Sequence, residues 1–263
     1  MIQKQDSIPK QSPLLLAGQV ASRKWLEAQG IQGYTIDNYV KGSRLTVLEK
    51  GVYALANTKV SWQSLVASLP RLVDEPAVVG GLTALELQGF AQYLQLGGGS
   101  VVNLYSRASC PRWLMRLFGS LNVELRWHTT GLLWTGGTPR QPAVRDWVWR
   151  EDDPTLSISA PEQALLELLL GIPDQVSFEH ADQIMEGLTQ LSPSRVTALL
   201  GDCRSVKVKR LFFWLADRHP FPWRKHLVAE NFDLGSGKRV LQPKGKLDGK
   251  YLITVPGGMT NAV

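Results

Sequence analysis

Apolar residues in this chain recur at a helical spacing in some stretches and alternate in others, and the switches between the two mark its elements. Ser22 is a good N-cap for a short helix reaching Gln29, with Trp25 and Leu26 able to face a core. Gly30 ends that helix, and Gly30-Ile31-Gln32-Gly33 forms a tight turn. Tyr34 to Lys41 follows as a second helix whose Ile36, Tyr39 and Val40 fall on one side. The period then changes. Arg44-Leu45-Thr46-Val47-Leu48 alternates, the turn Glu49-Lys50-Gly51 reverses the chain, and Val52-Tyr53-Ala54-Leu55 returns it as a β-hairpin with a basic tip. Helix, turn, helix and hairpin in this order predict a winged helix-turn-helix.

The polar side of the second helix carries Gln32, Thr35, Asn38 and Lys41, groups of suitable length for base edges and phosphates. With Tyr34 on the same helix and Arg44 and Lys50 in the hairpin, they form the expected DNA-binding set. A helix-turn-helix used only for packing, or a hairpin that touches protein, is the competing reading. Charge weighs against it, because residues 1 to 60 hold eight Lys and Arg against four Asp and Glu.

Asn57-Thr58-Lys59 reads as a link, placing a first domain at 1–58 and a second at 59–263. A loose amino terminus with a helix from about Ser12 to Gln19 is expected before the winged module. Beyond the link, helices are predicted over Trp62 to Val73 (interrupted at Pro70) and Gly81 to Gln88, then a flexible turn at Gly97-Gly98-Gly99. Val101 to Tyr105 is a strand, Arg112 to Phe118 a short helix, Val123 to His128 and Leu132 to Trp134 paired strands, and Val144 to Trp149 another strand. Ser159-Ala160-Pro161-Glu162 opens a helix that ends at Leu170, and further helices are expected around Phe178 to Leu188 and Pro193 to Leu200. The expected class is therefore α+β, a winged helix-turn-helix followed by a mixed α+β domain. Most of the nine tryptophans are read as core.

The carboxy-terminal part changes the electrostatic picture. Residues 61 to 203 carry a net −6, whereas residues 204 to 263 carry a net +8. Wound as a helix, Val206 to Arg218 gathers Val208, Leu211, Phe212 and Leu215 on one stripe, and Lys207, Arg210, Trp214 and Arg218 on the adjoining face. That face is either a surface for phosphates or an acidic partner, or a solvated side whose long cations cover an apolar seam. Asp233 to Arg239 looks like a phosphate loop but lacks the leading Gly and the residue after Lys that a Walker motif needs. A hairpin of Lys238 to Gln242 with Tyr251 to Val255 is the better reading, its turn Lys244 to Lys250 basic enough to hold an anion.

Signals for catalysis are nearly absent. The four histidines have no HExxH spacing, no GxSxG elbow is present, and nothing nominates a nucleophile, a metal site or a cofactor. Glu151-Asp152-Asp153, an acidic cluster before a Pro, is where a metal site could hide, and a solvated loop is the stronger reading. Cys110 and Cys203 lie far apart, which suits a reducing compartment. No apolar run approaches the length of a membrane span and no leader is evident, so a cytoplasmic protein is expected.

The start Ser22-Arg23-Lys24-Trp25-Leu26-Glu27-Ala28-Gln29-Gly30 resembles the amino-terminal domain of AbiEi-type antitoxins. The resemblance continues through Gly80 to Gly89, Ser159 to Ala164, Ser205 to Phe212 and Asp233 to Arg239, covering almost the whole chain. It departs at Gln32-Gly33-Tyr34, where members often carry Ser and Arg. The resemblance implies a type IV toxin–antitoxin or abortive-infection system against phage, with a nucleotidyltransferase toxin encoded alongside. It also implies that the winged domain represses its own operon at promoter inverted repeats. The second domain would carry the antitoxin activity, on a surface of Lys207, Arg210, Trp214, Arg218, Lys238 and Arg239. An enzyme acting on a nucleotide or nucleic acid, with a DNA-binding module, is the alternative.

Overall fold

The first regular element is one the apolar pattern does not announce. Residues 15–19 form turns instead of the end of the expected helix, and the chain extends into strand β1 (Val20–Ser22). The computed structural model describes residues 15–91, 100–136, 143–148 and 155–259; the rest of the expected first helix, the Gly97-Gly98-Gly99 turn, Trp149 and the Glu151-Asp152-Asp153 cluster lie outside them. Two units result, Met1–Asp74 and Glu75–Val263.

In the first unit Ser22 caps helix α1 (Arg23–Ala28), its Oγ accepting the Trp25 amide at 3.2 Å. Gly30, with φ +87°, makes the reversal into helix α2 (Gly33–Lys41), because few other residues tolerate that backbone. Strands β2 (Leu45–Glu49) and β3 (Val52–Leu55) form the hairpin around Gly51. β1 pairs antiparallel with β3, giving the sheet order β1-β3-β2. Leu15, Ala21, Leu26, Ile36, Leu45 and Tyr53 make the core, with Trp25, Ile31, Tyr39 and Val40 packed on it. The expected boundary at residue 58 falls too early. Helix α3 (Trp62–Ala67) and the 3-10 turn Leu69–Arg71 belong here, tied to β1 by Val20 N–H donating to Ser68 Oγ at 3.0 Å and Ser22 Oγ donating to the Arg71 carbonyl at 2.8 Å.

The second unit opens with β4 (Val78–Val79), helix α4 (Gly81–Leu87), β5 (Ser100–Ser106), helix α5 (Arg112–Ser120) and β6 (Val123–Thr129). β7 (Val144–Trp147) and β8 (Leu156–Ser159) complete a mixed sheet ordered β6-β5-β4-β8-β7. β5 and β6 run parallel through the α5 crossover, and β4 and β8 are also parallel. Leu132 to Trp134 does not pair with β6 as expected. The Thr130 carbonyl accepts the amides of Leu133 and Trp134 at 3.0 and 2.9 Å, so the chain coils and Trp134 bridges Cys203 instead.

Four helices follow, α6 (Pro161–Leu170), α7 (Phe178–Gly187), α8 (Pro193–Asp202) and α9 (Val206–Ala216). α6 is buried from Glu162 to Leu169 and touches α4, α7, α8, α9 and β8. Its Glu167 accepts hydrogen bonds from the Gly81 amide, Ser159 Oγ and Gln163 Nε2 at 2.9, 3.1 and 2.7 Å. Burial pushes this carboxyl up to about 7, against the pull of those three bonds. Gly80 makes room for it, since a Cβ there would lie 2.2 Å from Glu167 Oε2 and 2.4 Å from the Tyr105 ring. The expected hairpin strand Lys238–Gln242 is reduced to a bridge between Arg239 and Ile253. Thr254 Oγ1 takes the amides of Leu241 and Gln242 at 2.9 and 3.0 Å, and the short strands β9 (Lys246–Leu247) and β10 (Thr254–Val255) pair instead.

Candidate nucleic-acid interface

α2 is built with one side for the core and one for solvent. Ile36 is buried and Tyr39 and Val40 are half-buried against the core, while Tyr34, Asn38 and Lys41 lie within about 60° of each other on the opposite side at about 100° per residue. Tyr34 is 66% exposed, and Gln32 stands exposed at the N-cap without bonding its own helix. Thr35 is half-buried at the edge of this face. Among the described residues, no hydrogen bond or ion pair takes up the side chains of Gln32, Thr35, Asn38 or Lys41. Donors and acceptors are thus free to meet base edges and phosphates, beside the Lys41 cation, whose charge also acts on Asp37.

The hairpin extends the same chemistry. Lys50 is exposed at its tip beside Gly51. Arg44 is exposed at its base, with its guanidinium over the Tyr39 ring at 4.8 Å, so an aromatic of the core edge holds the cation in place. The seven expected residues therefore run from the N-cap of α2 to the turn of the hairpin after it.

One carboxylate interrupts this face. Asp37 is exposed next to Asn38, and Arg23 of α1 grips it through two nitrogens at 2.9 and 3.3 Å. Arg23 also donates to Glu27 at 3.0 Å, and its hydrogen bond holds the Asp37 carboxyl below its ordinary range. Neither Arg23 nor Asp37 stands out in the sequence. The i, i+4 spacing of Arg23 and Glu27 was the only signal there, and it does not point across the turn to α2.

The expected basic face of α9 is not a surface. Arg210 is 2% exposed and Trp214 is fully buried. Arg210 donates to the carbonyls of Leu234, Gly235, Gly237 and Leu252 at 2.6, 3.0, 2.8 and 3.2 Å. The glycine-rich turn thus presents carbonyls to a cation, the opposite of the amides a phosphate loop presents. Lys207 is half-buried with Nζ donating to the Leu170 carbonyl at 2.8 Å, where burial lowers its pKa. Arg218 pairs with Asp182 at 2.9 Å, lies over the Trp214 ring and donates to the Met259 carbonyl. Their work is to staple the helical layer together. Lys238 and Arg239 are exposed.

A cavity of about 220 Å³ in the second unit is bordered by Asn103, Tyr105, Arg126, His128 and Glu167. These groups already have partners, some of them outside the lining. Asn103 joins Thr83 and His128, Tyr105 donates to the Glu167 carbonyl, and Arg126 pairs with Glu124. Among the described residues there is no cluster of side chains able to hold a metal ion, and no helix is long and apolar enough to cross a membrane.

Comparison with known proteins also divides the chain in two, but between residues 96 and 99 instead of after Asp74. The family described as transcriptional regulator, AbiEi antitoxin N-terminal domain, matches residues 5–96, and the family described as transcriptional regulator, AbiEi antitoxin, type IV toxin–antitoxin system, matches residues 99–256. A crystal structure of the RV2827C protein from Mycobacterium tuberculosis is similar in fold, with a TM-score of 0.54 over 90% of this chain and 86% of that chain at 17% identity. No curated protein matches. With nearly all its length matched, the chain belongs to the AbiEi family of antitoxins and transcriptional regulators of type IV toxin–antitoxin systems.

Proposed function

We propose that this chain represses its own operon by binding inverted repeats in the promoter, and that it counters a nucleotidyltransferase toxin encoded beside it. The single observation that carries the repressor reading is the uncommitted polar face of α2, with Gln32, Tyr34, Thr35, Asn38 and Lys41, next to a hairpin carrying Arg44 and Lys50. A helix of this kind fits the major groove, and the hairpin then reaches adjoining phosphates. Replacing Asn38 and Lys41 together with Ala is expected to abolish specific retardation of promoter DNA while the protein stays folded, because both side chains are exposed. Unchanged retardation would refute α2 as the reading helix.

The antitoxin reading assigns no catalytic role and places the work in the second unit, in the cytoplasm, as part of phage defence by abortive infection. Its surface is drawn smaller than the sequence suggested. Lys207, Arg210, Trp214 and Arg218 hold the fold, which leaves Lys238 and Arg239 of the original set exposed for a polyanion or an acidic protein face. Reversing Lys238 and Arg239 to Glu in the full chain should abolish rescue of cells expressing the toxin and leave promoter binding intact. Full rescue by that variant would remove this surface from the reading.

A further inference from the structure

We infer that Arg23 is a positioning residue for duplex recognition, acting through Asp37 by masking its carboxylate on the reading helix. The inference rests on the repressor reading above and deepens it. Arg23 is where three elements meet. Its backbone N–H donates to the Gly51 carbonyl at the hairpin turn at 2.8 Å, its guanidinium spans to Asp37 on α2, and the rest of it belongs to α1.

Stability does not explain the arrangement. Arg23 and Asp37 are 37% and 53% exposed, and exposed pairs add little to folding. What the pair changes is the charge seen by a duplex. Asp37 sits beside Asn38, and without Arg23 its carboxylate, offset then by Lys41 alone, would face phosphates. The guanidinium meets both carboxylate oxygens, at 2.9 and 3.3 Å, so the whole charge of Asp37 is engaged.

Gly33 completes the device. A Cβ at Gly33 would lie 2.7 Å from Arg23 Nη2, so the missing side chain is what lets the guanidinium pass over the start of α2 to reach Asp37. Its backbone is not left-handed, and Ala is the better helix former. Gly33→Ala therefore displaces the flexible end of Arg23 without breaking the fold.

The test is a set of variants of the full chain, titrated against a duplex of its own promoter region at several salt concentrations. Arg23→Ala should lose about tenfold or more in affinity, Asp37→Asn should bind within about threefold of wild type, and the double variant should return to within about threefold of Asp37→Asn alone. Gly33→Ala should bind more weakly than wild type with an unchanged melting temperature. A double variant as weak as Arg23→Ala overturns the masking role, and a salt slope shallower by about one unit would then make Arg23 a direct phosphate contact. Gly33→Ala binding as wild type also counts against it. Wild-type protein that leaves promoter DNA free would overturn the repressor reading together with this inference, whereas a binding wild type and an equally tight Arg23→Ala overturn the inference alone.

Discussion

Glu167 should make the second unit less stable as pH rises through neutrality, and Glu167→Gln should remove that dependence. The carboxyl is 1% exposed, and burial lifts it from an ordinary 4.5 to about 7 in the folded chain. Between those values the folded state holds a proton that the unfolded state has released, so stability is greatest below pH 4.5 and is lost as pH rises through about 7. At about 1.36 kcal/mol for each pH unit between the two values, the full loss is about 3 kcal/mol. The glutamine variant forfeits the bond from the Gly81 amide, a cost on the order of 1–3 kcal/mol that does not vary with pH. The informative quantity is therefore the slope of the difference between the two proteins. Urea unfolding followed by tryptophan fluorescence would measure it, since seven of the nine tryptophans lie in this unit. A difference that stays flat across the window, or grows with pH, would show that the three hydrogen bonds outweigh burial and keep the carboxylate ionised.

Further outcomes follow from the same contacts. Arg210→Met should cost about 2–4 kcal/mol by denaturation, because four carbonyls lose a buried cation and only those of the exposed turn can find water instead. Gly80→Ala should cost about 3 kcal/mol or more, or abolish soluble expression, since its methyl would meet both Glu167 and the Tyr105 ring well inside contact distance. Lys50→Ala should weaken promoter binding with sequence preference intact and make the salt slope shallower by about one unit; a normal slope with altered preference would refute its role as a phosphate contact.

The sequence made α2 and the hairpin legible because their information is local. Ile36, Tyr39 and Val40 repeat at helical spacing, and Gly30 and Gly51 mark reversals that need positive φ. β1, β4 and β8 escaped notice because strands of two to four residues carry too little alternation, and distant partners such as Ala54 for Val20 or Ile158 for Val79 define them. Arg210 misled for a related reason. Its charge argued for solvent, and the carbonyls that accept it come from a turn more than twenty positions downstream. The Arg23–Asp37 pair was hidden in the same way, since it closes across a turn whose geometry only the fold provides.

The burial of α6 from Glu162 to Leu169 sets how the second unit can be divided. A helix that is wetted on one side can be trimmed away and leave a diminished but soluble remainder. α6 has no such side, and its Glu162, Gln163 and Glu167 draw partners from both earlier and later segments, Gly81 and Ser159 on one hand and Ser192 and Arg195 on the other. A cut on either side of it strands acidic groups in an apolar interior with their donors gone. Residues 75–263 are thus an indivisible inheritance, passed on whole or lost, whereas the stretch near Asp74 is where recombination could exchange one first unit for another and leave the second intact.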